Sequence, residues 1–373
     1  MKQSRVAFVH EYLTRNGGAE RVLKSLLQLY PEAPIYTLLY QPRRVKQDFP
    51  SSEVIPSFLN SFPQWVKKRV KALGVFAPSA IESFDLSRFR LVISSSNSFA
   101  KGVILKPQTT HICYCHAPSL FLWDKFYLYQ RLHGKNLFSR MAINIVAHYL
   151  RQWDRQAADR VDYFIANSKT TQDRIAKFYR RDSTVIYPPV DVMRFRYDRP
   201  PERFFLIVSQ LTAYKNIDIA IEAFNKMKLP LLIIGEGPEE KRLRGMAQSH
   251  IRFMGFLSDK KVIQYYERCQ ALVFPGSDDF GITPVEAMAA GKPVLALRDG
   301  GATETIVEGV TGEFFDAPLP ELLANGVRRL RENYSQYESH VIRKQAEKFS
   351  QERFLEEMKD FITYVENQEK STT

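Results

Sequence analysis

Short apolar runs, each followed by a stretch with helical spacing, recur along almost all of this 373-residue chain. That alternation is what a parallel sheet covered by helices requires, because successive parallel strands need a long crossover between them. The expected class is therefore α/β. In the first half the strands fall at 6–9, 35–38, 91–94, 111–115, 163–166 and 184–186, with helices at 19–29, 64–73, 139–159 and 170–178. Near Tyr187 the pattern breaks into YPPVDVMRFRYDRPPE, whose prolines forbid regular helix and suit a connection between domains. A second set of strands follows at 204–208, 231–234, 251–254, 271–274, 294–296 and 313–315. Helices are expected to start near Asn216, Pro238, Asp259, Pro284 and Ala302, and to fill most of 319–365. The length suits two domains, read as 1–190 and 191–350, with 351–373 a helix packing back toward the first.

The composition, 45% hydrophobic and 25% charged, is that of an ordered globular protein. No run approaches the length of a membrane span, and the N-terminal residues read as a strand rather than a signal peptide, so a cytoplasmic location is expected. Cys113, Cys115 and Cys269 match neither a disulfide framework nor a zinc or redox spacing and are expected to be buried strand residues. The formal charge of +12 favours an anionic partner. No nucleic-acid-binding signature is present, which leaves a phosphorylated substrate or an acidic membrane face. Trp65 with Lys67, Lys68, Arg69 and Lys71 reads equally as a solvated helix face or as a membrane-surface contact.

Ligands of open α/β sheets bind at the carboxyl ends of the strands. In the second half those positions hold Ser209, Gln210 and Lys215, then Gly235-Glu236-Gly237, then the segment from Pro275 to Glu286. Within that segment Phe280, Gly281, Ile282 and Thr283 lead into a helix whose first amides can bind phosphate oxygens. A purely structural account competes with this: Thr283 as N-cap, Pro284 next and Glu286 at the third helical position would form a capping box.

The strings VSQLTAYKNIDIAI, IIGEGPE, FPGSDDFGITPVEAMAAGKPV and DGGATETI, in that order, resemble the C-terminal half of the family-4 (group 1) glycosyltransferases. NGGAE and CYCHAPSLFLWD extend the resemblance across the first half, and the branch is similar to mannosyltransferases of bacterial surface polysaccharides. The resemblance implies two facing Rossmann-like domains with a cleft between them (the GT-B fold), a nucleotide diphosphate sugar donor held mainly by the second domain, and a saccharide or lipid-linked saccharide acceptor. It also implies retention at the anomeric carbon. Carried over residue by residue, the family's glutamate pair falls on Asp278 and Glu286, with Glu286 on the donor ribose and Asp278 on sugar hydroxyls. The usual Glu is Asp at 278. The family's cationic pair on the diphosphate falls on Gln210 and Lys215, so one charge is missing, and Arg298 at the next strand end is the expected substitute.

In the first half Gly17-Gly18 follows a strand and opens a helix, which the resemblance places over the donor phosphate. His116 follows another strand, and in the family this position contacts the donor sugar near the reacting carbon. Trp123 and Asp124 are expected in the wall of the acceptor cleft. No cofactor and no metal are expected, because Lys215 and helix-start amides can carry the diphosphate charge, and a front-face reaction in which the leaving phosphate takes the acceptor proton fits. Two other readings stay open: a nucleotide-sugar 2-epimerase, and a noncatalytic nucleotide-sugar-binding subunit favoured by the changes at Gln210 and Asp278.

Overall fold

The computed structural model describes residues 5–15, 17–45, 49, 52–63 and 74–372. The helix expected at 64–73, with its basic residues and Trp65, lies outside them. The chain divides into two compact units, Met1–Tyr187 with Glu357–Thr373, and Pro188–Glu356.

The first unit holds β1 (Val6–Leu13), α1 (Gly18–Leu26), β2 (Ile35–Tyr40), β3 (Val54–Pro56), α2 (Ala77–Glu82), β4 (Leu91–Ser96) and β5 (Thr110–Cys115). It continues through α3 (Phe126–His133), α4 (Leu137–Asp159), β6 (Tyr163–Ala166), α5 (Lys169–Tyr179) and β7 (Thr184–Val185). All strand pairings are parallel, in the order β3-β2-β1-β4-β5-β6-β7. Because helices cover both faces, a central strand such as β4 is buried at every residue. Val9, Leu38, Ile81, Val92 and Phe99 share one apolar core, and Cys113, Phe164, Ile175 and Tyr179 another. Each such Val, Leu or Ile contributes roughly 1.5–3 kcal/mol by leaving water. The expected helix at 139 begins earlier, at Leu137, because Asn136 and Ser139 cap it reciprocally: Ser139 N–H donates to Asn136 Oδ1 at 2.9 Å and Asn136 N–H to Ser139 Oγ at 3.0 Å.

The second unit holds β8 (Phe205–Val208), α6 (Ile217–Met227), β9 (Leu231–Ile234), α7 (Glu240–Met246), β10 (Ile251–Gly255), α8 (Asp259–Arg268) and β11 (Ala271–Phe274). Then come α9 (Ile282–Ala289), β12 (Val294–Leu297), β13 (Gly312–Phe315), α10 (Pro320–Glu332), α11 (Ser339–Glu347) and α12 (Gln351–Thr372). The last helix starts in this unit, and its residues from Glu357 onward belong to the first. The strands are again all parallel, in the order β10-β9-β8-β11-β12-β13.

Counted within each unit, both sheets run outward from their first strand in the same way, and the strand order reverses between β1 and β4 and between β8 and β11. Ligands bind beyond the carboxyl ends of strands at such reversals. The segments after β1, β4, β8 and β11 are thus where chemistry is expected.

The edge strand β3 and the helices α2 and α3 were not anticipated. Cys269 is buried at the end of α8 rather than in a strand, while Cys113 and Cys115 are buried in β5.

Candidate active site

In the second unit four strand-end loops are knitted together by backbone contacts. A Cβ added at Gly235, whose φ is +131°, would lie 1.9 Å from the Ser209 carbonyl oxygen, and one at Gly237 2.2 Å from that of Leu211. Leu211 N–H donates to the Glu236 carbonyl at 3.0 Å. These approaches hold Gly235 and Glu236, after β9, against Ser209 and Gln210, after β8. A Cβ at Gly276 would meet Lys215 Cα at 2.8 Å, and Gly301 N–H donates to the Asp278 carbonyl at 2.9 Å. The loop after β11 is therefore clamped between those after β8 and β12.

The Lys215 ammonium, on a side chain only 11% exposed, pairs with the Asp278 carboxylate and lies over the rings of Tyr214 and Phe274. Gln210 beside it is exposed. Phe280 is buried edge-on against Phe349, at 5.5 Å between centroids.

The capping box does not form. The helix α9 starts at Ile282 with Gly281 as its cap at φ +84°, a left-handed conformation that suits glycine, and no side chain caps it. Thr283 and Pro284 lie inside the first turn, and Glu286 lies beyond the capping position. Buried Glu286 instead accepts from the Tyr266 hydroxyl at 3.0 Å. The amides of Ile282 and Thr283 are among the first of α9, which no preceding residue of the helix can satisfy.

Arg298 directly follows β12, but its side chain does not join Lys215. Its guanidinium donates from Nε to Asp316 at 2.7 Å and from an Nη to Glu308 at 2.6 Å, and it lies over the Phe314 ring. Two exposed carboxylates, Glu308 and Asp316, compensate this charge where it stands.

In the first unit a polar chain links the loop after β1 to the end of β5. Gly17 N–H donates to Glu20 Oε2 at 2.9 Å, and Glu20 Oε1 lies 3.8 Å from His10 Nε2. His10 Nδ1 is 3.1 Å from Ser95 Oγ, which is 2.8 Å from His116 Nε2. Gly18 is exposed at the first turn of α1. Burial, with His10 nearby, pushes the His116 imidazole down to about 3, so it is neutral near pH 7. Trp123 stacks on Phe178 and donates to Asp154 at 2.8 Å, while Asp124 pairs with Arg174 at 2.8 Å. These contacts give both residues a structural role that the sequence reading had not seen.

Two family models together match nearly the whole chain: the group 1 glycosyl transferases over residues 191–369 and glycosyltransferase family 4 over residues 16–194. This chain is a family-4, group 1 glycosyltransferase. The D-rhamnosyltransferase WbpZ of Pseudomonas aeruginosa is 28% identical over 212 residues, covering 52% of this chain and 54% of that one. Human alpha-1,3/1,6-mannosyltransferase ALG2 is 25% identical over 291 residues, 67% of each chain. The chain thus spans about half the length of the first curated relatives it matches. Among solved structures, Anabaena HepE in complex with UDP-glucose superposes with a TM-score of 0.72 at 18% identity, covering 96% of this chain and 99% of that one. The fold is GT-B, two Rossmann-like units.

Several residues of this glycosyltransferase hold the candidate site residues in place without any motif to announce them. Glu11, on β1, accepts backbone N–H bonds from Asn97 at 2.9 Å, Phe99 at 2.6 Å, Ala100 at 3.3 Å and also Ser98, filling the nest of amides after β4. Asp154, on α4, accepts from Lys101 at 2.5 Å, Ser119 at 2.7 Å and Tyr179 at 2.9 Å as well as Trp123, and so pins the segment after His116. Ser95 and His10 stand behind His116, and Tyr266 behind Glu286. For His10, Glu11 and Ser95 the one sequence signal was a polar residue inside a buried strand; Asp154 and Tyr266 lie on α4 and α8 and had none.

Proposed function

We propose that the protein transfers a hexosyl group, mannose being the first candidate, from a nucleoside diphosphate sugar to a saccharide or lipid-linked saccharide, with retention and without a metal. The observation that carries this is the convergence of four strand-end loops of the second unit on Lys215 and Asp278 beside the capless start of α9. A diphosphate would draw Lys215 away from Asp278 and accept from the amides of Ile282 and Thr283, so that positive charge faces the leaving group as its negative charge grows. Asp278, released, would accept from sugar hydroxyls. Glu286, oriented by Tyr266, would take the ribose hydroxyls, since a carboxylate can accept several hydrogen bonds. His116 would contact the sugar, and the Gly17-Gly18 turn would admit the donor's phosphate to close approach. The departing phosphate then takes the acceptor proton. The mannosyl and rhamnosyl specificities in the names of the relatives support a hexosyl donor of this class.

A membrane-borne acceptor is supported by α3 and α4. From Lys125 to Trp153 there is no acidic residue. On α4, Leu137, Met141, Ile145 and Tyr149 recur every fourth position and are exposed, as is Phe138 at 83%. Arg131, Lys135 and Arg140 flank them. Exposed apolar side chains with basic neighbours are what an interfacial helix presents to anionic lipid. Among the described residues no helix is long and apolar enough to cross a membrane, so the proposed association is peripheral, at the cytoplasmic face.

The missing cation at Gln210, with Arg298 committed elsewhere, favours one second reading: a noncatalytic subunit that binds the nucleotide sugar. Incubation with GDP-mannose and lipid extract separates the two. Release of GDP that depends on the extract supports transfer, whereas donor binding without release supports the subunit.

A further inference from the structure

Prolines deny the segment from Pro188 to Glu202 the hydrogen-bond ladder of a helix, so other parts of the second unit must fix its place. They do so along its length. Val190 N–H donates to the Phe349 carbonyl at 2.9 Å, and buried Lys292 donates through Nζ to the Arg199 carbonyl at 2.7 Å. Glu267, on α8, accepts from Arg196 N–H at 3.0 Å and pairs with Arg199 at 3.1 Å. Buried Arg343, on α11, donates to the Phe195 carbonyl at 3.2 Å and to the carbonyl of Ala289, the last residue of α9, at 2.7 Å. The Phe195 ring meets that of Tyr266, on α8, edge-on at 5.9 Å between centroids. Phe195 is thus joined by its ring to the helix that carries Tyr266, and through Arg343 to the helix that carries Glu286.

On the reading that Glu286 takes the ribose hydroxyls, we propose that Tyr266 is a positioning residue for that carboxyl group and that Phe195 holds Tyr266 in place, so that ribose recognition is set by the proline-rich segment as well as by α9.

A glutamate side chain has three torsions, and freezing them when a ligand arrives subtracts from the binding free energy. The hydrogen bond from the Tyr266 hydroxyl to Glu286 Oε2, at 3.0 Å, fixes the carboxyl group beforehand. Tyr266 suits this task because its ring is 1% exposed and has only two torsions to hold. The reach of its hydroxyl depends on the spacing of α8 and α9. Glu267 and Arg343 fasten these two helices to one stretch of the segment, residues 195–199, which keeps that spacing. The effect is selective for the sugar hydroxyls of the nucleoside, since neither Lys215 nor the first amides of α9 are held through Tyr266.

Titration calorimetry of the full chain with GDP and with dideoxy-GDP, which lacks both ribose hydroxyls, reads the hydroxyl contribution as a ratio of two affinities. Wild type should bind GDP about 100-fold more tightly, as hydrogen bonds to a carboxylate warrant, and Glu286→Ala should bring the ratio near one. Tyr266→Phe keeps the ring and removes only the hydroxyl. Its ratio should fall about fivefold, the size of one ordinary hydrogen bond, while affinity for dideoxy-GDP changes by less than about twofold. A ratio in folded Tyr266→Phe equal to that of wild type, or an equal loss of affinity for both nucleotides, overturns the positioning role even where Glu286→Ala abolishes the preference. An undiminished ratio in Glu286→Ala, or no preference in wild type, overturns the ribose reading and the proposal with it. Should Tyr266→Phe not fold, Phe195→Leu loosens the ring and leaves the hydroxyl present: the ratio should fall by about twofold to threefold, and an unchanged ratio refutes the proposal.

Discussion

The two sheets share one strand order up to β13 and β6, yet they treat the same topological position in opposite ways. In the first unit the amides after β4 are taken by the protein's own Glu11, and the strand-end imidazole is buried against the Ser95 hydroxyl. In the second unit the start of α9 has no side-chain cap, and the nearby Lys215 is held by a single carboxylate that is itself 30% exposed. One strand-end crevice satisfies its own amides, and on the function proposed above the other receives the anionic part of the donor. Ligands of such sheets sit at the topological reversal, and the two units differ in the side chains placed there.

The contrast is broken most directly at its cation. Lys215→Ala should lower turnover by about 100- to 1,000-fold, the range seen when one group stabilising developing charge is removed. The fold should survive, because the loops around Lys215 are joined through backbone. Calorimetric unfolding beside initial rates measures both. In the first unit the equivalent cut is structural: Glu11→Ala strands several buried amides and should destabilise the protein by about 3 kcal/mol. Denaturant titration of wild type and variant reads that loss, and a stability within experimental error of wild type would deny that the nest is filled for structural reasons.

Smaller changes sharpen the comparison. Gln210→Arg adds charge where the second unit lacks it and should raise GDP affinity by about tenfold, since a charge-assisted hydrogen bond contributes roughly 1.5 kcal/mol or more. Titration calorimetry with GDP tests it. Arg298→Ala should alter turnover by less than about twofold, because its pairs with Glu308 and Asp316 are exposed and exposed pairs contribute little. A large loss of rate would instead place Arg298 on the diphosphate.

What the sequence disclosed follows from interaction range. The period of the apolar runs is local, so the α/β class and the strand ends carrying Ser209, Gly235 and Asp278 could be read directly. The three-residue strand β3 escaped because Val54–Pro56 is too short to show a period and lies among polar residues. Glu11 escaped for a different reason: its partners are 85 to 89 positions away, at Ser96, Asn97, Ser98, Phe99 and Ala100. Asp154 likewise gathers donors from Lys101, Ser119, Trp123 and Tyr179. Arg298 was legible in position but not in direction, since being at the right end of a strand says nothing of which carboxylates lie within reach. The capping box at Thr283 satisfied every local preference, yet the chain capped α9 two residues earlier with Gly281.

The proposed function depends most on Lys215 and the start of α9 holding the diphosphate of the donor. A cycle of titrations with GDP and GMP, on wild type and Lys215→Ala, isolates the contribution of the second phosphate. Wild type should prefer GDP strongly, and the variant should lose most of that preference while still binding GMP about as well. An equal preference for GDP in both proteins would contradict it.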